Sequence, residues 1–132
     1  QEFIEKARKI RKNLGGGMRQ AGIIAAPGII ALEKMINRLE EDHGNARLLA
    51  EGLAKIGGIS IDLRIVQTNI VHFDVGGLGI TSDQFISKLR EHGVLALARD
   101  TNGVRMITHR GIEKEHIEKT LKIIEGVVKA TC

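Results

Sequence analysis

Apolar residues Phe3, Ile4, Ala7, Ile10 and Leu14 recur at helical spacing, with Glu2, Glu5, Lys6, Arg8 and Lys9 between them. This spacing predicts an amphipathic helix over residues 2–13, stopped by the run Gly15-Gly16-Gly17. A second helical pattern begins after Gly22 and carries Ile29, Ile30, Leu32, Met35, Ile36 and Leu39, with Pro27 expected to open an early turn or kink it. The periodicity continues through Ala46, Leu49, Ala50, Leu53 and Ile56, with a bend expected at His43-Gly44 and a stop at Gly57-Gly58.

The period then changes from helical to alternating. Ile59, Ile61, Leu63 and Ile65 alternate with Ser60, Asp62, Arg64 and Val66, and Asn69 to Val75 is rich in β-branched residues, so both stretches are strand candidates, the second the better. Gly76-Gly77-Leu78-Gly79 reads as a loop, and Thr81-Ser82-Asp83-Gln84 offers caps for a helix built on Phe85, Ile86 and Leu89 and closed by Gly93. Val94 to Arg99 and Val104 to Thr108 read as an antiparallel hairpin joined by Asp100-Thr101-Asn102-Gly103, whose Asn-Gly pair is a hairpin signal. A last amphipathic helix runs from Glu113 to Lys129 through Ile117, Leu121, Ile124 and Val128. The expected fold is α/β of the α+β kind: a short antiparallel or mixed sheet of about three strands, covered on one side by helices and preceded by long helices.

Composition narrows what such a fold does. The 132 residues suffice for one core without a metal or disulfide. The single Cys132 sits at the last position, where a free thiol is expected. The sequence has neither a run of 18 apolar residues nor a basic-then-apolar leader, so no membrane partner is expected and a cytoplasmic origin fits; the start at Gln1 suggests a processed or truncated chain. The formal charge of +4 is spread among acidic residues rather than gathered in a block. With no Trp or Tyr and only Phe3, Phe73 and Phe85 as aromatics, the chain lacks stacking platforms, and nucleic acid is not an expected partner.

Two places remain for chemistry. Between Arg11 and Gly22 three cations, Arg11, Lys12 and Arg19, surround the three glycines, a composition suited to approaching an anion; ordinary helix punctuation is the competing reading. The run satisfies neither the GxGxxG nor the Walker pattern. Arg105 lies in the apolar strand text Val104-Arg105-Met106-Ile107-Thr108-His109-Arg110, where a guanidinium held rigidly grips a carboxylate through two parallel hydrogen bonds. Its alternative is an edge-strand arginine facing water or paired with Asp100, an alternative stronger still for Arg99 and Arg110. Among the histidines, His43, His92 and His116 read as solvated, and His72, flanked by Val71 and Phe73, as a satisfied strand histidine. None shares helical metal-site spacing, no metal is expected, and no Ser, Cys or Asp has a visible base partner.

The wording of several separated stretches adds to this. Arg11 to Gly22, Arg38-Leu39-Glu40-Glu41-Asp42-His43, Asn45 to Leu53, Thr68-Asn69-Ile70-Val71 and Val104 to His109 together resemble the low-specificity L-threonine aldolases, in collinear order over nearly the whole chain. That family consists of pyridoxal-phosphate enzymes of the aspartate-aminotransferase fold type I, usually homotetramers, which cleave L-threonine or L-allo-threonine to glycine and acetaldehyde. The resemblance implies that residues 1–29 are the tail of the large cofactor domain and connecting segment, and residues 30–132 the small C-terminal domain. It further implies that Arg105 holds the substrate carboxylate, and that Lys12 and Arg19 are cofactor-binding positions near the phosphate, reaching a neighbouring subunit's site. The lysine that carries the cofactor lies upstream in the family, so Lys12 is not its equivalent and the chain by itself is expected to be inactive. The alternatives are a non-catalytic α/β module for ligand binding or oligomerisation, and phosphate-backbone binding through Arg8, Arg11, Lys12 and Arg19.

Overall fold

A computed structural model describes residues 1–131, so the thiol of Cys132 lies outside the described residues. Contacts divide the chain into two compact units, Gln1–Asn37 and Arg38–Cys132. That division falls eight residues beyond the expected domain boundary at residue 29.

In the first unit, helix α1 (Glu2–Arg11) opens on Glu2 and Glu5 and closes on Arg8, Lys9 and Arg11, each charge at the end the helix dipole favours. The chain then widens into a π-helical turn, Lys12–Gly16, and leaves it through Gly15 at φ +85°, a conformation that favours glycine. Helix α2 (Gly22–Ile30) runs through Pro27 rather than ending there and continues into a second π-helical turn, Ala31–Met35. Neither helix buries a residue: Phe3 of α1 is 79% and Ile23 of α2 74% exposed.

The second unit holds the core. Helix α3 (Leu39–Leu53) starts where Arg38 reaches forward one turn to the carboxylate of Asp42 with two bonds of 3.0 and 2.9 Å. Asp42 is only 5% exposed, and Glu40 and Glu41 add negative charge to the same first turn. The expected bend at His43-Gly44 is absent. The helix runs straight through, Gly44 having open space around it, and the break lies earlier, at residues 36–38.

The first strand candidate is also corrected. Asp62 accepts bonds from the backbone N–H and guanidinium of Arg64, drawing Leu63–Ile65 into a 3-10 turn, and of the alternating stretch only Ser60 bridges to Asp74. The second candidate forms β1 (Ile70–Asp74). With β2 (Leu97–Ala98) and β3 (Gly103–Ile107) it makes a sheet of order β1-β3-β2 in which both pairings are antiparallel. The connection from β2 to β3 is a hairpin, as the Asn-Gly signal predicts, but neither Asn102 nor Gly103 takes positive φ. The carboxylate of Asp100 closes the loop instead, accepting from the N–H groups of Asn102 and Gly103 and from Arg99 Nε. A Cβ at position 103 would lie 2.8 Å from that carboxylate, which is why glycine stands there.

One face of the sheet presents Val71, Phe73, Val104 and Met106 to the helices. They join one core cluster with Leu49 and Leu53 of α3, Phe85 and Leu89 of α4 (Ser82–Glu91), and Ile117 and Ile124 of α5 (Lys114–Lys129). Phe73 and Phe85 meet edge to face, with centroids 6.3 Å apart. The capping box expected before α4 is present between Thr81 and Gln84.

At the end of β3 a buried polar knot closes the unit. The Thr108 hydroxyl donates to the carbonyl of Asp42 at 2.6 Å, and Asn69 and Thr108 exchange bonds of 2.8 and 2.9 Å across the start of β1. Thr108 is 1% exposed, so nothing replaces its hydroxyl if it is lost. Thr108→Val is therefore expected to lower unfolding free energy by about 1–3 kcal/mol, seen as a lower urea midpoint at unchanged slope.

Candidate functional site

Side chains alternate across a strand, so the residues between the core positions form a second face of the sheet. Register places Arg105 of β3 opposite both His72 of β1 and Leu97 of β2, and Ile107 opposite Ile70. The three strands thus carry a strip of His72, Arg105 and Leu97 across this outer face. Leu97 is 59% exposed, and His72 and Arg105 are half-buried.

β3 is the central strand, so the edge-strand reading of Arg105 does not hold. Nor does the pairing with Asp100, whose carboxylate is held by Arg99. Among the described residues no carboxylate pairs with Arg105, and its guanidinium makes no hydrogen bond. A half-buried cation held by a central strand, with its donors unspent, is equipped to bind an anion.

His72 is not the satisfied histidine expected from its apolar neighbours. Its Nδ1 is buried without a hydrogen-bond partner. Burial lowers its pKa first, and the positive charges of Arg99 and Arg105 lower it further. Alternation marks His72 as facing away from Val71 and Phe73, but only the pairing register puts it beside Arg105.

The two other predicted site residues belong to the first unit. Lys12 opens the π-helical turn, and Arg19 lies in the bend before α2, next to Gln20 at φ +54°. Both are exposed and neither pairs with a carboxylate among the described residues. The three glycines sit at the C-terminal end of α1, and residues 18–21 separate them from α2. The remaining histidines are dispersed. His43 is half-buried and His92 exposed, while His109 Nδ1 lies 2.8 Å from the Arg110 carbonyl. His116 is exposed, yet its Nδ1 accepts from the Glu113 N–H in a cap for α5 that no Ser, Thr, Asp or Asn in the sequence signals. A cleft of about 470 Å³ bounded by Leu49, Met106, Ile117, His92 and His116 was also not foreseen, and Arg105 is not in its wall.

Comparison with known proteins agrees with the architecture and wording of the chain. The model of the beta-eliminating lyase family matches residues 1–76. Low-specificity L-threonine aldolase 1 of Arabidopsis thaliana is 36% identical over 126 residues, 95% of this chain and 35% of that protein. The low specificity L-threonine aldolase of Escherichia coli (strain K12) is 36% identical over 88% of this chain and 33% of its own length. Alanine racemase TOXG of Cochliobolus carbonum is 33% identical over 98% of this chain and 33% of its own. The chain thus spans about a third of the length of the curated relatives it matches. Among solved structures, a NifS-like protein superposes with a TM-score of 0.66 at 19% identity, covering 76% of this chain and 31% of that one. MppP soaked with the product 2-ketoarginine gives 0.59 at 18%, over 76% and 30%. These two likenesses bear on the fold alone, the mixed α/β arrangement described above.

The depressed His72 pKa carries a pH dependence of stability. Below the ordinary imidazole value of about 6.5 the unfolded chain takes up a proton that the folded chain refuses until its own lower pKa is reached. Stability is therefore fully present above that ordinary value and falls on acidification through the window beneath it. His72→Phe should show a smaller loss of unfolding free energy than the unaltered chain between about pH 7.5 and about pH 5.5 in urea titrations.

Proposed function

Because the chain belongs to the beta-eliminating lyase family, we propose that it is the C-terminal part of a pyridoxal-phosphate-dependent threonine aldolase, an aldehyde lyase that cleaves L-threonine or L-allo-threonine to glycine and acetaldehyde. The observation that carries the reading to a residue is Arg105, a half-buried arginine on a central strand with no carboxylate partner among the described residues. Identity of 36% to threonine aldolases across nearly all of the chain supports the substrate class. On this reading residues 1–29 close the large cofactor domain and residues 30–132 form the small domain. The exposed Phe3, Leu14, Ile23 and Ile24 of residues 1–29 support it, since apolar side chains at that density call for a covering surface. The assembly would be a cytoplasmic homotetramer.

The residues present suit the phosphate end of the cofactor: Lys12 and Arg19 are exposed cations without carboxylate partners among the described residues, flanking a backbone turned by Gly15. The lysine that carries the cofactor is assigned to the upstream part of the protein, as the resemblance implies. When bound, pyridoxal phosphate supplies the sink for the electron pair released as the Cα–Cβ bond breaks. Arg105 contributes orientation. Two parallel N–H donors fix both carboxylate oxygens, and with the amino group held elsewhere that leaves the Cα–Cβ bond in one direction.

The proposed division of labour has direct tests. The 132-residue chain mixed with pyridoxal phosphate and L-threonine is expected to release no glycine; robust release would contradict it. In the full-length protein, Arg105→Ala should raise KM and lower kcat together, reducing kcat/KM by on the order of 10²-fold. Arg105→Lys should recover only part of that loss, because an ammonium lacks the planar fork. Unchanged threonine cleavage by Arg105→Ala would remove the carboxylate role.

A further inference from the structure

Next to Arg105 stands a group that neither the resemblance nor the comparisons assign. His72 is the direct register partner of Arg105 across β1 and β3, so their Cβ atoms lie on one face at a separation of about 4.5–5.5 Å. His72 makes no side-chain hydrogen bond among the described residues, and its Nδ1 is the one buried side-chain polar atom there without a partner.

That orphaned atom decides the tautomer. An imidazole with one nitrogen buried and unpartnered has two neutral forms: a lone pair at the buried position, or an N–H there. Unpaired buried N–H groups are the rarer and costlier of the two, so the proton belongs on Nε2, at the outward end of the ring. The doubly protonated ring would bury an N–H without an acceptor and stand against two cations, Arg105 on β3 and Arg99 beyond β2. The acidic group of the same strand face, Asp74, turns an oxygen to the Gly76 N–H at 2.8 Å. The outer face of the sheet therefore sets a neutral N–H donor beside a guanidinium.

We propose that His72, through Nε2–H, is a second carboxylate-binding residue, which with Arg105 holds the carboxylate of an α-amino acid substrate in a single rotational setting. This rests on the carboxylate role of Arg105 proposed above and extends it. A guanidinium fork binds a carboxylate in its own plane but leaves that plane free to pivot about the arginine side chain. A third donor on the neighbouring strand removes the pivot, because a carboxylate has lone pairs to spare after two bonds. The donor being neutral, it fixes the geometry without adding charge to the Arg105–carboxylate pair.

The 132-residue chain itself provides the test, with acetate as the carboxylate probe and nitrogen-15 spectra of the histidine rings and arginine Nε–H groups as the readout. Without acetate, His72 should show the Nε2–H tautomer. Added acetate should shift His72 Nε2 and Arg105 Nε along one saturation curve. His72→Phe should weaken acetate binding read at Arg105 by about three- to tenfold, and His72→Gln, which keeps an N–H donor at similar reach, should restore most of it. An Nδ1–H tautomer, or acetate shifts at Arg105 without any at His72, overturns the His72 assignment and leaves the Arg105 reading standing. Acetate that shifts neither residue overturns both.

Discussion

The hydrogen bond from the buried Thr108 hydroxyl to the carbonyl of Asp42 fixes the end of the central strand against the start of α3. Everything offered on the outer face depends on that strand keeping its register. Strand side chains alternate with period two, so a slip of one residue would drive Arg105 into the core and turn Val104 and Met106 to the outside. The paired bonds between Asn69 and Thr108 pin β1 to the same point, and Asn45 reaches from α3 to the Ile112 carbonyl just beyond. The knot is built from polar groups that are all partnered, which makes it directional in a way the surrounding apolar core is not.

The two faces of the sheet differ in composition. On one, Val71, Phe73, Val104 and Met106 lie under three helices and are spent on stability. On the other, among the described residues, no carboxylate pairs with Arg105 and nothing partners His72 Nδ1, so two polar groups stand with bonding capacity in hand. The first unit shows a related imbalance, because α1 and α2 carry apolar side chains that neither helix buries. Both are the surfaces expected of a chain that works as part of a larger site.

Local chemistry in the sequence was legible where it had no competitor. Helix α1 ends at its glycines, the Thr81 cap starts α4, and the antiparallel order around Asp100 to Gly103 follows from one short signal. Failures arose where a side chain outbid the pattern. Asp62 converted an alternating stretch into a 3-10 turn, and Arg38 with Asp42 set the start of α3 earlier than the bend expected at His43-Gly44. The site was half legible. Arg105 was visible as a cation in an apolar strand, but its central position and the approach of His72 are properties of pairing, which links residues 33 apart in sequence. Three of the five stretches whose wording resembles threonine aldolases, Arg38 to His43, Thr68 to Val71 and Val104 to His109, meet at Thr108. Their shared wording therefore reflects the scaffold as much as the chemistry.

The central question is whether the outer face of the sheet receives a carboxylate. The direct measurement compares two compounds in the full-length protein, with and without Arg105→Ala: L-threonine, and 1-aminopropan-2-ol, which keeps the amine and hydroxyl but lacks the carboxylate. Read as the apparent affinity of each compound, the substitution should weaken L-threonine by on the order of 10-fold or more while leaving the carboxylate-free compound nearly unchanged. Equal weakening of both would mean that Arg105 supports the site only through its structure, and would contradict the central claim.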